Sequence, residues 1–267
     1  MKAPELSYYN IANGIISFST TRHGGCSRGN YGEFNINEYC GDEAEAINKN
    51  RKALAAELGI DADHMVIPHQ THGIETRQIA EDFLSLPENI RKMILEGVDA
   101  VMTNIKGVCV GVSTADCIPI LLYDPEHEAV CAVHAGWRGT VARIVMKAVT
   151  EMRLAYQTIP SDLKAVIGPG ISLDAFEVGN EVYEEFANAN FEMDAISKQM
   201  KVAGTDFEYK WHIDLKECNR RQLLQCGINE ENILVSDVCT YNNVEDFFSA
   251  RRLGTASGRI YSGIIIR

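Results

Sequence analysis

The stretch from Ile118 to Val133 constrains this chain more than any other part of it. Two short apolar runs, Ile118–Tyr123 and Ala129–Val133, flank the tetrapeptide Asp124-Pro125-Glu126-His127. Aspartate and proline favour a tight reversal there, because proline presets its own φ and an Asp carboxylate accepts from backbone amides just beyond it. The segment therefore reads as an antiparallel hairpin, and runs with so little polar alternation read as buried strands. A hairpin brings its open ends together. Here those ends carry Cys117 and His134, a thiol and an imidazole 17 residues apart.

Other β-rich runs are Ile15–Phe18, Val98–Met102, Val108–Val112, Ala165–Ile167, Ile233–Val235 and Ile260–Ile266. Three helices are expected among them. Asp42, with Glu45 three residues on, resembles a capping box that opens a segment to about Leu58, where Gly59 supplies a stop. After Gly139, the residues Val141, Ile144, Val145, Ala148, Val149 and Met152 fall on one face at helical spacing. Asp214 and Glu217 open the third, which runs to Cys226 before Gly227, a residue suited to a left-handed cap. Strands and helices do not alternate regularly, which disfavours a Rossmann fold or a barrel. No repeat, low-complexity tract or long linker offers a boundary. The expected class is α+β, a single mixed domain over residues 1–267 with a sheet-rich core surrounded by helices.

Charge removes several functions. With 25 Lys and Arg against 37 Asp and Glu, the net charge is −12, and no basic block exceeds the Arg251–Arg252 pair. Nucleic acid and anionic membranes are therefore not expected partners, since both need many cations to neutralise phosphates. The longest apolar stretch, Val108 to Tyr123, is interrupted by Asp116 and Pro119 and falls short of the roughly 20 residues a spanning helix needs. The first residues, MKAPELSYYNIANG, lack the apolar run of a secretory signal. A cytoplasmic protein is expected, and its eight cysteines, none in a C-x-x-C, read as reduced thiols packed mostly as small apolar side chains.

Cys117 and His134 are the exception. The segment His134-Ala-Gly-Trp-Arg-Gly-Thr140 leads from a strand into the amphipathic helix, so free amides at a helix start, together with Arg138, would favour an anion. A second turn, Pro68-His-Gln-Thr-His-Gly73, supplies His69 and His72, of which one is expected to reach the same place. Two imidazoles and a thiolate with an open fourth position suit catalytic zinc, and also copper. Spacing alone does not decide this, because His72, Cys117 and His134 match no compact zinc pattern. A packed cysteine and two ordinary polar histidines give the same sequence.

The strings Thr114-Ala-Asp-Cys117, Val133-His-Ala-Gly-Trp-Arg-Gly139 and Gln70-Thr-His-Gly73 together resemble the laccase-domain family, long described as polyphenol oxidases and now as purine nucleoside phosphorylases. Ser19-Thr-Thr-Arg22 with Gly24-Gly25, Phe34-Asn-Ile36, Ile167-Gly-Pro-Gly-Ile171, Phe176-Glu-Val-Gly179 and Phe247-Phe-Ser-Ala-Arg-Arg252 extend the resemblance over nearly the whole chain. It implies metal ligands at His72, Cys117 and His134, holding zinc with copper possible in the same site. His69 falls where the family is not known to need histidine, and reads as a neighbour of the site or a surface residue.

The resemblance further implies phosphorolysis of adenosine, inosine, guanosine and methylthioadenosine, with purine nucleoside and phosphate as the ligands, and hydrolytic deamination of adenosine. Deamination calls for a carboxylate to carry the proton from zinc-acidified water, for which Asp116 and Glu177 are the candidates. Phosphorolysis calls for cations on the phosphate, for which Arg22, Arg138 and Arg251 are available, while Asn35 would donate to a ribose hydroxyl or cap a turn. Trp137 would stack on a base or pack on the core. Seven histidines with no H-x-H cannot encode a full multicopper cluster. Three alternatives stand beside the phosphorylase: a copper-dependent polyphenol oxidase, a metal-free cysteine hydrolase using Cys117 and His134, and a non-catalytic metal-binding module.

Overall fold

A computed structural model, which describes residues 2–202, 204–205 and 208–267, contains the expected antiparallel hairpin, with Ile118 opposite Ala135 and Asp124 opposite Ala129. Asp124 holds its turn. Oδ1 accepts from the amides of Glu126 and His127, and Oδ2 lies 2.9 Å from His127 Nδ1.

In chain order the strands are β1 (Leu6–Tyr9), β2 (Ile15–Thr20), β3 (Met65–Val66), β4 (Glu75–Gln78), β5 (Val98–Thr103), β6 (Cys109–Thr114), β7 (Ile118–Asp124), β8 (Ala129–Ala135), β9 (Lys164–Ile167), β10 (Glu177–Val178), β11 (Ser197–Lys201), β12 (Tyr209–Ile213), β13 (Ile233–Val235) and β14 (Ile260–Ile266). The helices are α1 (Ala44–Leu58), α2 (Glu88–Ile94), α3 (Trp137–Val141), α4 (Ile144–Tyr156), α5 (Asn180–Asn188), α6 (Met193–Ile196), α7 (Leu215–Gln225) and α8 (Ala250–Leu253). One mixed sheet runs β1-β2-β14-β6-β3, a second runs β13-β9-β7-β8-β5-β4, and a small antiparallel sheet runs β10-β12-β11.

Alternation along the strands sets the layers. Val110, Val112, Ile264 and Ile266 turn inward from the five-stranded sheet to meet Val101, Leu121, Tyr123, Val130 and Ala132 of the six-stranded one. The intervening Cys109, Tyr261 and Ile265 face the other way, onto Leu54, Ala55 and Leu58 of α1. On the far side of the six-stranded sheet, Ile120, Leu122, Cys131 and Val133 pack against Val145, Ala148, Val149 and Met152 of α4 and Leu215, Cys218 and Leu223 of α7. The order is helix, sheet, sheet, helix. Central strands are thus covered on both faces, and each large aliphatic side chain so buried contributes about 1.5–3 kcal/mol.

Two helix expectations need correction. Asp42 does not cap α1, because its carboxylate is taken up by Ser27 Oγ at 2.7 Å and Asn35 Nδ2 at 2.9 Å; Glu43 stands at the N-terminal cap position without a side-chain bond. The helix after Gly139 is two helices, broken where Arg143 takes a left-handed φ of 64°. That residue earns its place through its side chain, which lies over the Phe191 ring and donates to the Ala189 carbonyl. By contrast, Gly59 ends α1 with φ 62° and Asp214 caps α7 by accepting from the Glu217 amide, both as the sequence predicts. Among the described residues no helix is long and apolar enough to cross a membrane.

Candidate metal centre

The chain passes between the two large sheets three times at one end of the sandwich, and two of these crossings carry a candidate ligand. His72 lies on the connection from β3 to β4, and Cys117 on the connection from β6 to β7. His134, near the end of β8, pairs with Pro119 and so comes beside Cys117. Ligand atoms of the three all fall within 4.8 Å of one another, and the two imidazoles meet edge to face at 4.8 Å between centroids. Hairpin geometry explains two members. The third needs a loop held from elsewhere.

Asp99 does the holding. This carboxylate is fully buried in β5 and accepts from the amides of His72 at 3.0 Å and Gly73 at 2.7 Å, with Thr71 at 3.3 Å. It also accepts from His134 Nδ1 at 2.7 Å, which leaves Nε2 as the free ring nitrogen. One side chain therefore sets the His72 turn and the tautomer of His134, the usual arrangement behind a metal-binding histidine. His72 adopts a left-handed φ of 63°, a conformation that costs a side-chain-bearing residue of order 1 kcal/mol or more. The three amide bonds to Asp99 offset it. Gln70 adds a second clamp, donating to the Ser113 carbonyl and accepting from the Ser113 amide.

The electrostatics are those of a charged thiolate–imidazolium pair when no metal is present. Burial raises the Cys117 pKa, but the charge and hydrogen bond of His134, with help from His72, outweigh it and bring the thiol down to about 6. For His134 burial acts downward, and Cys117 and Asp99 lift it to about 9. Burial likewise raises Asp99, yet His134 and the Gly73 and Thr71 amides hold it below the usual carboxylate range. A thiolate is the ligand form of cysteine, so the site is prepared for a cation.

Gly136 keeps the space between the ligands open. A Cβ there would lie 3.0 Å from His72 Cδ2 and 3.1 Å from Cys117 Sγ. The donor set and this gap fit one metal ion. Gly136→Ala should cost about 1–3 kcal/mol of strain at the site, equivalent to a roughly 5- to 150-fold loss of metal affinity, read by competition with a chelator. Unchanged affinity would show that the three residues do not close on an ion at this point.

A cavity of about 280 Å³ opens onto the three residues, walled by Asn37, Tyr39, Cys40, His69 and Arg259 among others. A second cavity, also of about 280 Å³, shares Tyr39 as a wall and takes in Arg51, Lys52, Arg91 and Lys92 together with the acids Glu38, Asp63 and Glu88, and apolar residues that include Phe83.

The remaining sequence candidates do not border the metal-facing cavity. The Asp116 carboxylate accepts from Thr240 Oγ1 and the Arg251 amide, both at 2.7 Å, and so ties the Cys117 crossing to the C-terminal segment. Glu177 lies exposed on β10. Arg22 donates to the carbonyls of Gly32 and Val244 beneath the Phe248 ring. Arg251 donates to the Glu177 carbonyl. Arg138 lies over the Trp137 indole at 4.2 Å, and Trp137 itself packs against the core. Asn35 is fully buried, donating to Asn37 and Asp42 and accepting from the Arg259 amide. The side chains of Asp116, Arg22 and Asn35 are thus spent on the architecture around the site, whereas those of Glu177 and Arg138 are exposed to solvent. Sequence reasoning missed Asp99, although a lone acid inside the apolar run Val98–Met102 was the available signal. Tyr39 and Arg259 carried none.

Residues 16–267 match the family described as multi-copper polyphenol oxidoreductase laccase. The chain belongs to that family. Within the laccase family it is 46% identical over 260 residues to a purine nucleoside phosphorylase of Bacteroides thetaiotaomicron, covering 97% of this chain and 93% of that protein. To an adenosine deaminase from an unknown prokaryotic organism it is 41% identical over 260 residues, 97% of each. Among solved structures, the hypothetical protein YfiH of Bacillus licheniformis superposes with a TM-score of 0.88 at 28% identity, covering 99% of this chain and 97% of that one. YlmD of Geobacillus stearothermophilus gives 0.85 at 30% identity, covering 96% and 93%. The laccase name itself fits the donors poorly: among the described residues one three-ligand group forms, enough for a single ion.

Proposed function

We propose that this protein is a cytoplasmic, zinc-dependent purine nucleoside phosphorylase. Adenosine, inosine or guanosine plus phosphate gives the free base plus ribose 1-phosphate, methylthioadenosine reacts likewise, and adenosine deamination is a second activity of the same site. The observation that carries this reading is an open His72/Cys117/His134 centre facing a cavity large enough to hold a small molecule. A structural zinc would be closed by four protein ligands. Relatives named for both activities, at 46% and 41% identity, support the substrate class.

Zinc held by these three residues supplies Lewis acidity and lowers the pKa of water; copper would compete for the same donors. The protein does the rest. Asp99 keeps His134 in one tautomer and orientation, and Tyr39 offers an aromatic wall to a base. For phosphate, the neighbouring cavity provides Arg51 and Arg91, whose buried Nη2 and Nε atoms respectively have no protein partner. Such N–H groups make charge-assisted bonds to phosphate oxygens. They take the place of Arg22, Arg138 and Arg251 as candidates for the phosphate, while Arg259 is the cation in the wall of the metal-facing cavity itself.

The test is to incubate the zinc-loaded protein with adenosine, with and without phosphate, and separate the products by chromatography. Adenine is expected only with phosphate, inosine in both conditions, and both should vanish on chelation and return with zinc. Neither product from protein with bound zinc would discard the nucleoside reading. A second reading follows from the Cys117–His134–Asp99 alignment, which is a nucleophile, a base and its orienting carboxylate. A metal-free cysteine hydrolase would purify without stoichiometric metal and lose activity to alkylation of Cys117.

A further inference from the structure

The cavity wall holds no Asp or Glu among the described residues, so a reaction needing a proton at the substrate must draw it from another group. Tyr39 is a poor donor near neutrality, since burial and the neighbouring Glu38 push its phenol up to about 12. Cys40 is likewise raised by burial, and Arg259 folds back to donate to the carbonyls of Thr255, Ser257 and Gly258. His69 remains. Its Nδ1 lies 2.8 and 2.9 Å from the two Glu96 carboxylate oxygens, and its amide donates to the Leu95 carbonyl. The ring stacks on Tyr39 at 4.0 Å with 20° between planes. Glu96 is outside the cavity wall, so the Nε2 edge is the one left to the cavity, and it has no hydrogen-bond partner among the described residues.

We propose that His69, oriented by Glu96 and Tyr39, is the general acid that protonates the departing purine. This rests on the phosphorylase reading above. As the C1′–N9 bond breaks, its electron pair moves onto the purine ring while a phosphate oxygen bonds to C1′. His69 Nε2–H delivers a proton to the ring nitrogen, N7, that receives the charge. The imidazole is then reprotonated with the proton released by hydrogen phosphate on becoming a phosphomonoester dianion, so the cycle consumes nothing else. Glu96 holds Nδ1–H and keeps the opposite nitrogen facing the substrate, the division of labour of an acid and its orienting carboxylate.

The test compares guanosine with 7-methylguanosine, whose base already carries the positive charge and leaves without protonation. His69→Phe keeps a ring against Tyr39 and removes the proton. Its kcat on guanosine should fall about a hundredfold, while kcat on 7-methylguanosine and both KM values change less than about threefold. Glu96→Gln, lying outside the cavity, should show the same substrate-dependent pattern at smaller amplitude. Zinc content and thermal unfolding check that each variant is intact. Equal losses on both substrates, or no loss on guanosine, would overturn the assignment while leaving the phosphorylase reading in place. Wild-type protein that cleaves neither substrate with phosphate would instead remove that reading, and the role of His69 with it.

Discussion

Cys117→Ser is expected to abolish metal binding and nucleoside chemistry together while leaving the fold intact. The thiolate is the one anionic member of the three-residue centre, held near pKa 6 by His134 and His72, and a serine hydroxyl remains neutral and binds zinc far more weakly. Zinc per chain should fall from one towards zero. Lewis-acid stabilisation is worth several kcal/mol at the transition state, so kcat/KM on adenosine should drop by about a thousandfold or more, for phosphorolysis and deamination alike. Serine is nearly isosteric at this half-buried position, and thermal stability of the metal-free forms should differ by only about 1 kcal/mol. The pairing of the two losses is diagnostic. A cysteine hydrolase would lose activity without any change in metal content, and a binding module would lose metal with no reaction to lose. Metal analysis and product chromatography on one preparation separate the three.

What the sequence made legible follows from how local each signal is. The hairpin was readable because a turn tetrapeptide and two uninterrupted apolar runs lie next to one another, and its ends fixed the proximity of Cys117 and His134 with no knowledge of the rest. The face of α4 was readable from periodicity, and the extent of α7 from the Asp214 cap and Gly227, for the same reason. The break at Arg143 was not: the partners that hold it, Phe191 and Ala189, are more than 40 residues away, and nothing between Gly139 and Met152 signals it. Asp42 failed as a cap because its partners Ser27 and Asn35 precede it on a loop.

The candidate site divides along the same line. His72 joined the set through motif resemblance, and the structure supplies the physical cause in Asp99, reaching across from β5. Polar residues next to the motifs, Asp116, Asn35 and Arg22 among them, read as chemical groups in the sequence, yet their side chains are saturated by carbonyls, amides and hydroxyls of the surrounding loops. A buried donor or acceptor must be paired, and a sequence does not reveal whether its partner is the protein or a ligand. His69 shows the reverse. It looked incidental because its partners Tyr39 and Glu96 lie 30 residues before it and 27 after it.

Asp99 is where stability and function meet most directly, and its two replacements should separate them. Asp99→Ala leaves the amides of Thr71, His72 and Gly73 and the His134 Nδ1–H without an acceptor inside the core. Unpaired buried donors cost about 1–3 kcal/mol each when fully sequestered, and breaking a buried ionic contact costs about 3–5 kcal/mol. Partial access of water to the Thr71–Gly73 turn limits the sum, so a destabilisation of about 3–5 kcal/mol is expected, seen as a lowered urea midpoint with little change in slope. Asp99→Asn keeps the shape and one carbonyl oxygen, which can serve Gly73 or His134 but not all four donors, while its NH2 opposes whichever N–H it faces. Stability should fall less, and metal affinity should drop about 10–100-fold as for other partners of metal-binding histidines. The two readouts therefore rank the variants differently in degree: alanine is worse for the fold, and asparagine loses metal out of proportion to its stability. Should asparagine bind zinc as tightly as the wild type, the tautomer and turn that Asp99 imposes are not what prepares His134 and His72 to hold the ion.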